Sequence, residues 1–436
     1  MAEVRPFKGM YYDPSRVDIQ KVVTQPWDVI TPEMQERYYT SDPHNIVRIV
    51  RGKEMPDDDA RNNKFTRAGK HFRDWLSEGL FIRDNADSIY LYTQKFRLGD
   101  SELTRRGFVA AVKLEDYESR VILPHEHTFP KHNLDRLHLV REAKANFGQI
   151  FVLYPDPDMT MQPFLARFDA KPHLLCVTAE GVTHIITRIA DPKDISFVVE
   201  QMKEKQLFIA DGHHRYQTAL NYRDEMLPKL PKNARRDVSY RMMTLISMDD
   251  PSVTILPTHR VVRGLLNFDP EKMMRQLKKF FSVRRVTHTK SDLQPILQKL
   301  RSFWPTTTAF VVCLPGNEFS LLTLKDRASA LEAMPQSLHE TVRELDVTVL
   351  HLLALEKILS LTHELQESGE YIRYFRDPAE AVRLVKRGEG QVAFLLNPTR
   401  VQQVKDVALA AEVMPHKSTD FYPKLLTGLV IRKLDI

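Results

Sequence analysis

The chain has 436 residues, 42% of them hydrophobic, which implies two or three domains with ordinary cores and no need for metal or disulfide staples. Its 63 Lys and Arg stand against 57 Asp and Glu, a formal charge of +6. That surplus is too small for a dedicated nucleic-acid binder, yet it suits one local basic pocket for an anion.

Residues 1–10 lack the apolar core of a signal peptide. Pro6, Pro14, Pro26 and Pro32 then punctuate an irregular stretch. Helical spacing sets in over residues 60–80, where Phe65, Ala68, Phe72, Trp75 and Leu76 share a face and Gly79 is placed to end it. Residues 88–96 and 103–114 read as an antiparallel hairpin around Gly99-Asp100, and residues 120–123 as a short strand stopped by Pro124. A helix is expected from Asn133, as N-cap, to near Gly148. Strands are expected at 151–154 and within 174–189, where Cys176 reads as a reduced core residue. Residues 229–236 form an exposed connection. Beyond it, helices are expected at 271–281, 344–361, 378–387 and 400–410, and strands at 309–314, 319–324, 392–396 and 428–432. Cys313 again reads as reduced core. The apolar run 347–361 is interrupted by His351, Glu356 and Lys357 and is too short to cross a bilayer. The expected setting is the cytoplasm, with no membrane partner. Irregular alternation with antiparallel pieces gives an α+β fold of mixed sheets.

The sharpest chemical feature is Asp211-Gly212-His213-His214-Arg215-Tyr216, after the apolar run 207–210. A strand enters a glycine turn and helical spacing follows at once, so first-turn amides and the positive end of the helix dipole face the turn. That arrangement binds anions, phosphate above all. His213, His214 and Arg215 add donors; Asp211 can cap the helix, bind a metal or steer a proton. A second cluster, residues 124–131, contains His125, Glu126, His127 and Thr128; Glu126 suits a general base, but the spacing is not that of a zinc protease. Lys131, Arg136 and Lys144 downstream read as a solvated face unless the helix turns them inward. A third, residues 414–424, sets Lys417, Ser418, Thr419 and Tyr422 between two prolines, with Lys424 just beyond the second. Thr258-His259-Arg260 is smaller, and Arg5, Trp27 and Asp28 are weaker still. Walker, dinucleotide-binding and hydrolase-elbow motifs are absent from the sequence.

With Pro26-Trp27-Asp28-Val29-Ile30, these motifs in this order resemble a large bacterial and archaeal family, domain of unknown function 1015, some of whose members are labelled ParB-like. The Asp-Gly-His-His-Arg turn is also similar to the phosphate turn of the ParB and sulfiredoxin superfamily, which includes free-serine kinases. The resemblance implies a ParB/sulfiredoxin-like phosphate-binding domain over 1–240 and a C-terminal α/β domain over 241–436 that lends a Lys-Ser-Thr loop to the site. It implies a small-molecule phosphotransferase, a free-serine kinase forming O-phosphoserine, with a nucleotide or pyrophosphate as donor and Mg²⁺ as cofactor. Asp211, Gly212, His213, His214 and Arg215 would then hold the phosphate and Glu126 would be the base. His125, Thr128, Thr258, His259, Arg260 and Tyr422 would contact substrate, and Lys417, Ser418, Thr419 and Lys424 a second phosphate. Departures limit the likeness: the turn lacks the arginine-rich ParB form and the sulfiredoxin cysteine, and no helix-turn-helix segment is evident. The alternatives are a phosphatase or phosphoserine-processing enzyme, a metal-dependent hydrolase, and a ParB-like nucleotide- or DNA-associated module.

Overall fold

Apolar runs rich in β-branched and aromatic residues pair into several sheets, and amphipathic runs cover them, giving a mixed α+β fold. The computed structural model describes residues 1–128, 130–170, 172–286, 293–304, 306–316 and 318–436. Phe129, inside the histidine-rich cluster, lies outside them. Two units are present: residues 1–124, 128–254 and 423–436 form the first, and residues 125–127 and 255–422 the second. The expected border at 240/241 falls on the first residue of the strand Tyr240–Ser247, which belongs to the first unit's sheet.

In the first unit, the sheet order is Ile122–Leu123, Leu207–Asp211, Ile150–Tyr154, Tyr240–Ser247, Ser101–Lys113, Ile89–Leu98, Thr183–Ile189, Leu174–Val177, with Val4–Arg5 paired to Ser101–Lys113. Leu207–Asp211 runs parallel to Ile122–Leu123, and Tyr240–Ser247 parallel to Ile150–Tyr154; the expected hairpin is antiparallel, with Leu98 opposite Ser101. One face supplies Leu91, Phe108, Ala110, Val152, Ile209 and Leu245 to a single core, completed by Val198 and Met202 of the helix Pro192–Met202. The helix Lys64–Ser77 starts with a capping box, Asn63 and Thr66 each bonding the other's backbone N–H, a device worth about 1 kcal/mol. The next helix is Pro130–Ala143, one turn earlier than expected, because Pro130 loses nothing at a position whose N–H has no helical acceptor. Asn133 is therefore inside the helix rather than capping it, and its side chain serves the site described below. Residues 423–436 return to this unit, where Arg432–Lys433 pairs with Ala145–Asn146 and Ile431 bridges to Met10. The expected strand 428–432 thus shrinks to its last residue and the one beyond.

In the second unit, the order is Phe281–Val286, Glu318–Leu324, Ala309–Leu314, Val392–Leu396, His259–Val262, Ile372–Phe375, and every pairing is antiparallel. Alternate residues feed two cores: Phe310, Val312 and Phe394 on one face, Val311, Cys313 and Leu395 on the other. The expected helix 271–281 ends at Leu277, and Phe281, fully buried, opens a strand; a short apolar run does not distinguish the two by spacing. The expected helix 344–361 becomes Asp346–Val349 followed by a π-helical stretch Leu350–Glu356, which buries Leu350, His351, Leu353, Ala354 and Leu355 together. Cys176 and Cys313 are both buried and unbridged.

Candidate functional site

The apolar residues Leu207 to Ala210 are all buried, which anchors the strand that carries Asp211. Its pairing with Ile150–Tyr154 slips between Ile209 and Asp211, a bulge that re-aims the strand's last side chain. Gly212 follows at φ 98°, left-handed backbone that side-chained residues rarely adopt, and the helix His213–Met226 begins immediately. Gly212, not Asp211, occupies the N-cap, so the carboxylate is released from capping.

Asp211 is held from two sides. Lys424 Nζ donates to Oδ1 at 3.2 Å and Arg215 Nη2 to Oδ2 at 2.5 Å. Burial alone would raise its pKa, but the Lys424 ammonium, the Arg215 guanidinium and His213 hold it well below the usual carboxylate range. It is a fixed anion between two cations. Arg215, itself buried, also donates to the carbonyl of Gln149. His213 is buried, while the half-buried His214 places Nδ1 3.0 Å from Asn133 Oδ1. Asn133 in turn donates to Thr128 Oγ1 at 3.2 Å. Next to His214 stands the ring of His132, centroids 5.0 Å apart, and next to that Trp27 at 5.6 Å.

Lys424 is delivered by groups that sequence reasoning missed. Arg105, fully buried, donates to Gln94 Oε1 and to the carbonyl of Pro423; Gln94 Nε2 donates to the carbonyl of Lys424 at 3.0 Å. The Leu426 N–H donates to the hydroxyl of Tyr92, which also meets His184 Nδ1 at 2.8 Å. A polar residue within a strand reads as solvent-facing, so no local signal marks these. Of the residues in the Pro130–Ala143 segment, Arg136 is buried over Trp27, whereas Lys131 and Lys144 are exposed.

The second unit gathers another group. Thr419 Oγ1 donates to Glu126 Oε1 at 3.2 Å and lies 3.0 Å from Nε2 of the fully buried His125. A hydroxyl has one proton, so when it goes to Glu126 the imidazole must carry its own on Nε2. The His125 carbonyl accepts from the Met414 N–H, which ties the two loops together. Ser418 Oγ donates to the carbonyl of Pro415, its own carbonyl accepts from Thr399, and Lys417 is exposed at φ 58°. The loop is braced by Arg260, which donates to the carbonyls of Lys417 and Thr258. His259 is spent inside the sheet: it is buried, Nδ1 accepts from the Leu396 N–H at 3.2 Å, and burial with the neighbouring Arg260 lowers its pKa to about 3. Thr258 and Tyr422 are half-buried. Thr419 thus joins His125 and Glu126, with Lys417 and Ser418 beside it in the same loop, while Lys424 belongs with Asp211.

A family model described as "Protein of unknown function (DUF1015)" matches residues 4–348, ending before the 414–424 segment. No curated protein matches. Among solved structures, a conserved hypothetical protein from Pyrococcus furiosus is similar at 14% identity over 70% of this chain and 90% of its own, with a TM-score of 0.32. A free serine kinase in complex with AMP is similar at 13% identity over 69% and 83%, with a TM-score of 0.31. SbnI with a C-terminal truncation, from Staphylococcus aureus, is similar at 11% identity over 73% and 85%, with a TM-score of 0.33. At such scores the reaction has to be argued from this chain's own residues.

Proposed function

The chain belongs to the DUF1015 family, and we propose that it is a small-molecule phosphotransferase, most concretely a kinase that forms O-phosphoserine from free serine with ATP, ADP or pyrophosphate as donor. One observation carries this reading: Lys424 and Arg215 flank the single carboxylate of Asp211 at a glycine-turned helix start. Two cations against one anion, beside first-turn amides and two imidazoles, form a preorganised cradle for phosphate oxygens. Phosphoryl transfer asks little covalent chemistry of a protein; it asks for such a cradle and a placed base. In this reading Glu126 is the base, its orientation fixed by Thr419 and His125. The serine oxygen bonds to phosphorus as the bridging P–O bond of the donor breaks, and the hydroxyl proton passes to a carboxylate base.

Magnesium would come with the donor phosphates, since it keeps several waters and needs few carboxylates. Asp211 does not fit as its ligand in this arrangement, because its oxygens face Lys424 and Arg215. Among the described residues no group of three or more His, Cys, Asp or Glu is arranged to hold a metal.

The test mixes purified protein with serine, Mg²⁺ and each of ATP, ADP and pyrophosphate, and follows phosphoserine by mass spectrometry. Formation with any donor supports the proposal. Its absence with all three overturns it, and phosphate release from phosphoserine without an acceptor would establish hydrolysis instead.

A further inference from the structure

We infer that the first unit holds a second anion site, built for a small organic acid and adjoining the phosphate cradle through Arg215. A cavity of about 80 Å³ lies at the helices Pro130–Ala143 and His213–Met226. Leu139, Val140, Phe147, Tyr222, Val238 and Leu434 give it apolar walls. Three guanidiniums interrupt them, of which Arg215 is paired with Asp211. Arg136 donates through Nη1 to the carbonyl of Val50 at 2.7 Å, while its buried Nε has no hydrogen-bond partner among the described residues. Its guanidinium lies 4.3 Å from the ring of Trp27, also in the wall. Arg241 donates through Nη2 to the carbonyl of Gly148 at 2.9 Å.

Among the described residues no carboxylate forms an ion pair with either group; Asp28 and Asp135 act on Arg136 only at longer range. The remaining wall charges have carboxylate partners, Arg215 in Asp211 and Asp237 serving Arg432. Arginine cannot shed its proton, and a buried cation without a counter-ion is strongly unfavourable. Burial and the neighbouring Arg215 and Arg432 guanidiniums lower Arg241 to about 9, in keeping with a missing anion. The head of the ligand is therefore anionic, and the walls beyond it call for an apolar body. A carboxylate on a short aliphatic or aromatic frame meets both demands; inorganic phosphate meets only the first.

The experiment titrates the full chain with benzoate, hexanoate, inorganic phosphate and neutral benzamide, reading thermal unfolding and tryptophan fluorescence. Benzoate or hexanoate should bind saturably, raise Tm and quench a signal that disappears in Trp27→Phe. Arg136→Met and Arg241→Met, the latter at a half-buried residue, should each weaken binding at least tenfold; Arg136→Met should do so without lowering the ligand-free Tm, because replacing an unpaired buried charge by an apolar group is often neutral or stabilising. Val140→Phe, which fills the cavity and alters no charge, should abolish binding even if an arginine variant fails to fold. Lys424→Met should keep benzoate binding, whatever becomes of phosphoserine formation. The inference is overturned if neither acid binds, if phosphate or benzamide binds as tightly as benzoate, or if Val140→Phe leaves binding intact.

Discussion

Asp211 shows how one side chain's role depends on distant partners. Lys424→Met removes the ammonium that faces Oδ1, and should cost about 1–3 kcal/mol at neutral pH by chemical denaturation. The sign with pH follows from the lowered carboxyl pKa: its stabilisation is present above the unfolded value and lost as pH falls towards the folded one. The gap between wild type and Lys424→Met should therefore narrow in acid, and a gap that persists unchanged there would refute the ion pair. Glu126→Gln keeps shape and hydrogen bonding to Thr419 but cannot take a proton. It should lower kcat for phosphoserine formation by about 10²–10⁴-fold with Tm unchanged. Buried histidines add a second pH effect. His184, fully enclosed beside Tyr92, and His259, bonded to the Leu396 N–H, both have pKa values lowered by burial to about 3 from 6.5. The unfolded chain binds these protons first, so stability should be complete above pH 6.5 and fall below it by about 1.4 kcal/mol per pH unit per group, measurable as acid-dependent denaturation midpoints.

At the scale of the element, the strand, bulge, glycine and helix from Leu207 to Met226 act together. Gly212→Ala places a Cβ at φ 98° and within 2.9 Å of Arg215 Nε, so the turn must shift and with it the Arg215 contact to Asp211. The expected cost is about 1–3 kcal/mol, with loss of phosphate-dependent activity well beyond what the stability change explains. This element was legible because its signal is local: an apolar run, a glycine, then helical spacing. The hairpin around Gly99 was legible for the same reason. Thr258-His259-Arg260 stood out only as a smaller cluster of candidate ligands, yet His259 and Arg260 lie in a strand and are buried, a burial that depends on partners at Leu396 and Lys417. Trp27 read as weak because its neighbours, His132 and Arg136, come from another part of the chain. Arg105 and Gln94 left no signal, since only the returned segment at Pro423 and Lys424 reveals what they hold.

Across the whole molecule, the first unit is discontinuous. Residues 423–436 supply it with Leu425, Leu426, Leu429, Val430 and Ile431, all buried, besides Lys424. A chain truncated after Tyr422 should lose hydrogen-exchange protection through the sheet from Ile89 to Ser247 while the antiparallel sheet of the second unit keeps its own; uniform protection in both would contradict this division. The same arrangement sets a schedule for biosynthesis. A ribosome finishes the Asp211 turn, then translates residues 255–422 of the second unit before it makes the lysine that completes the ion triplet. Nascent chains therefore carry an unfinished cradle, and a messenger cut short anywhere upstream of Pro423 yields a protein lacking that cation, however well its remaining parts fold.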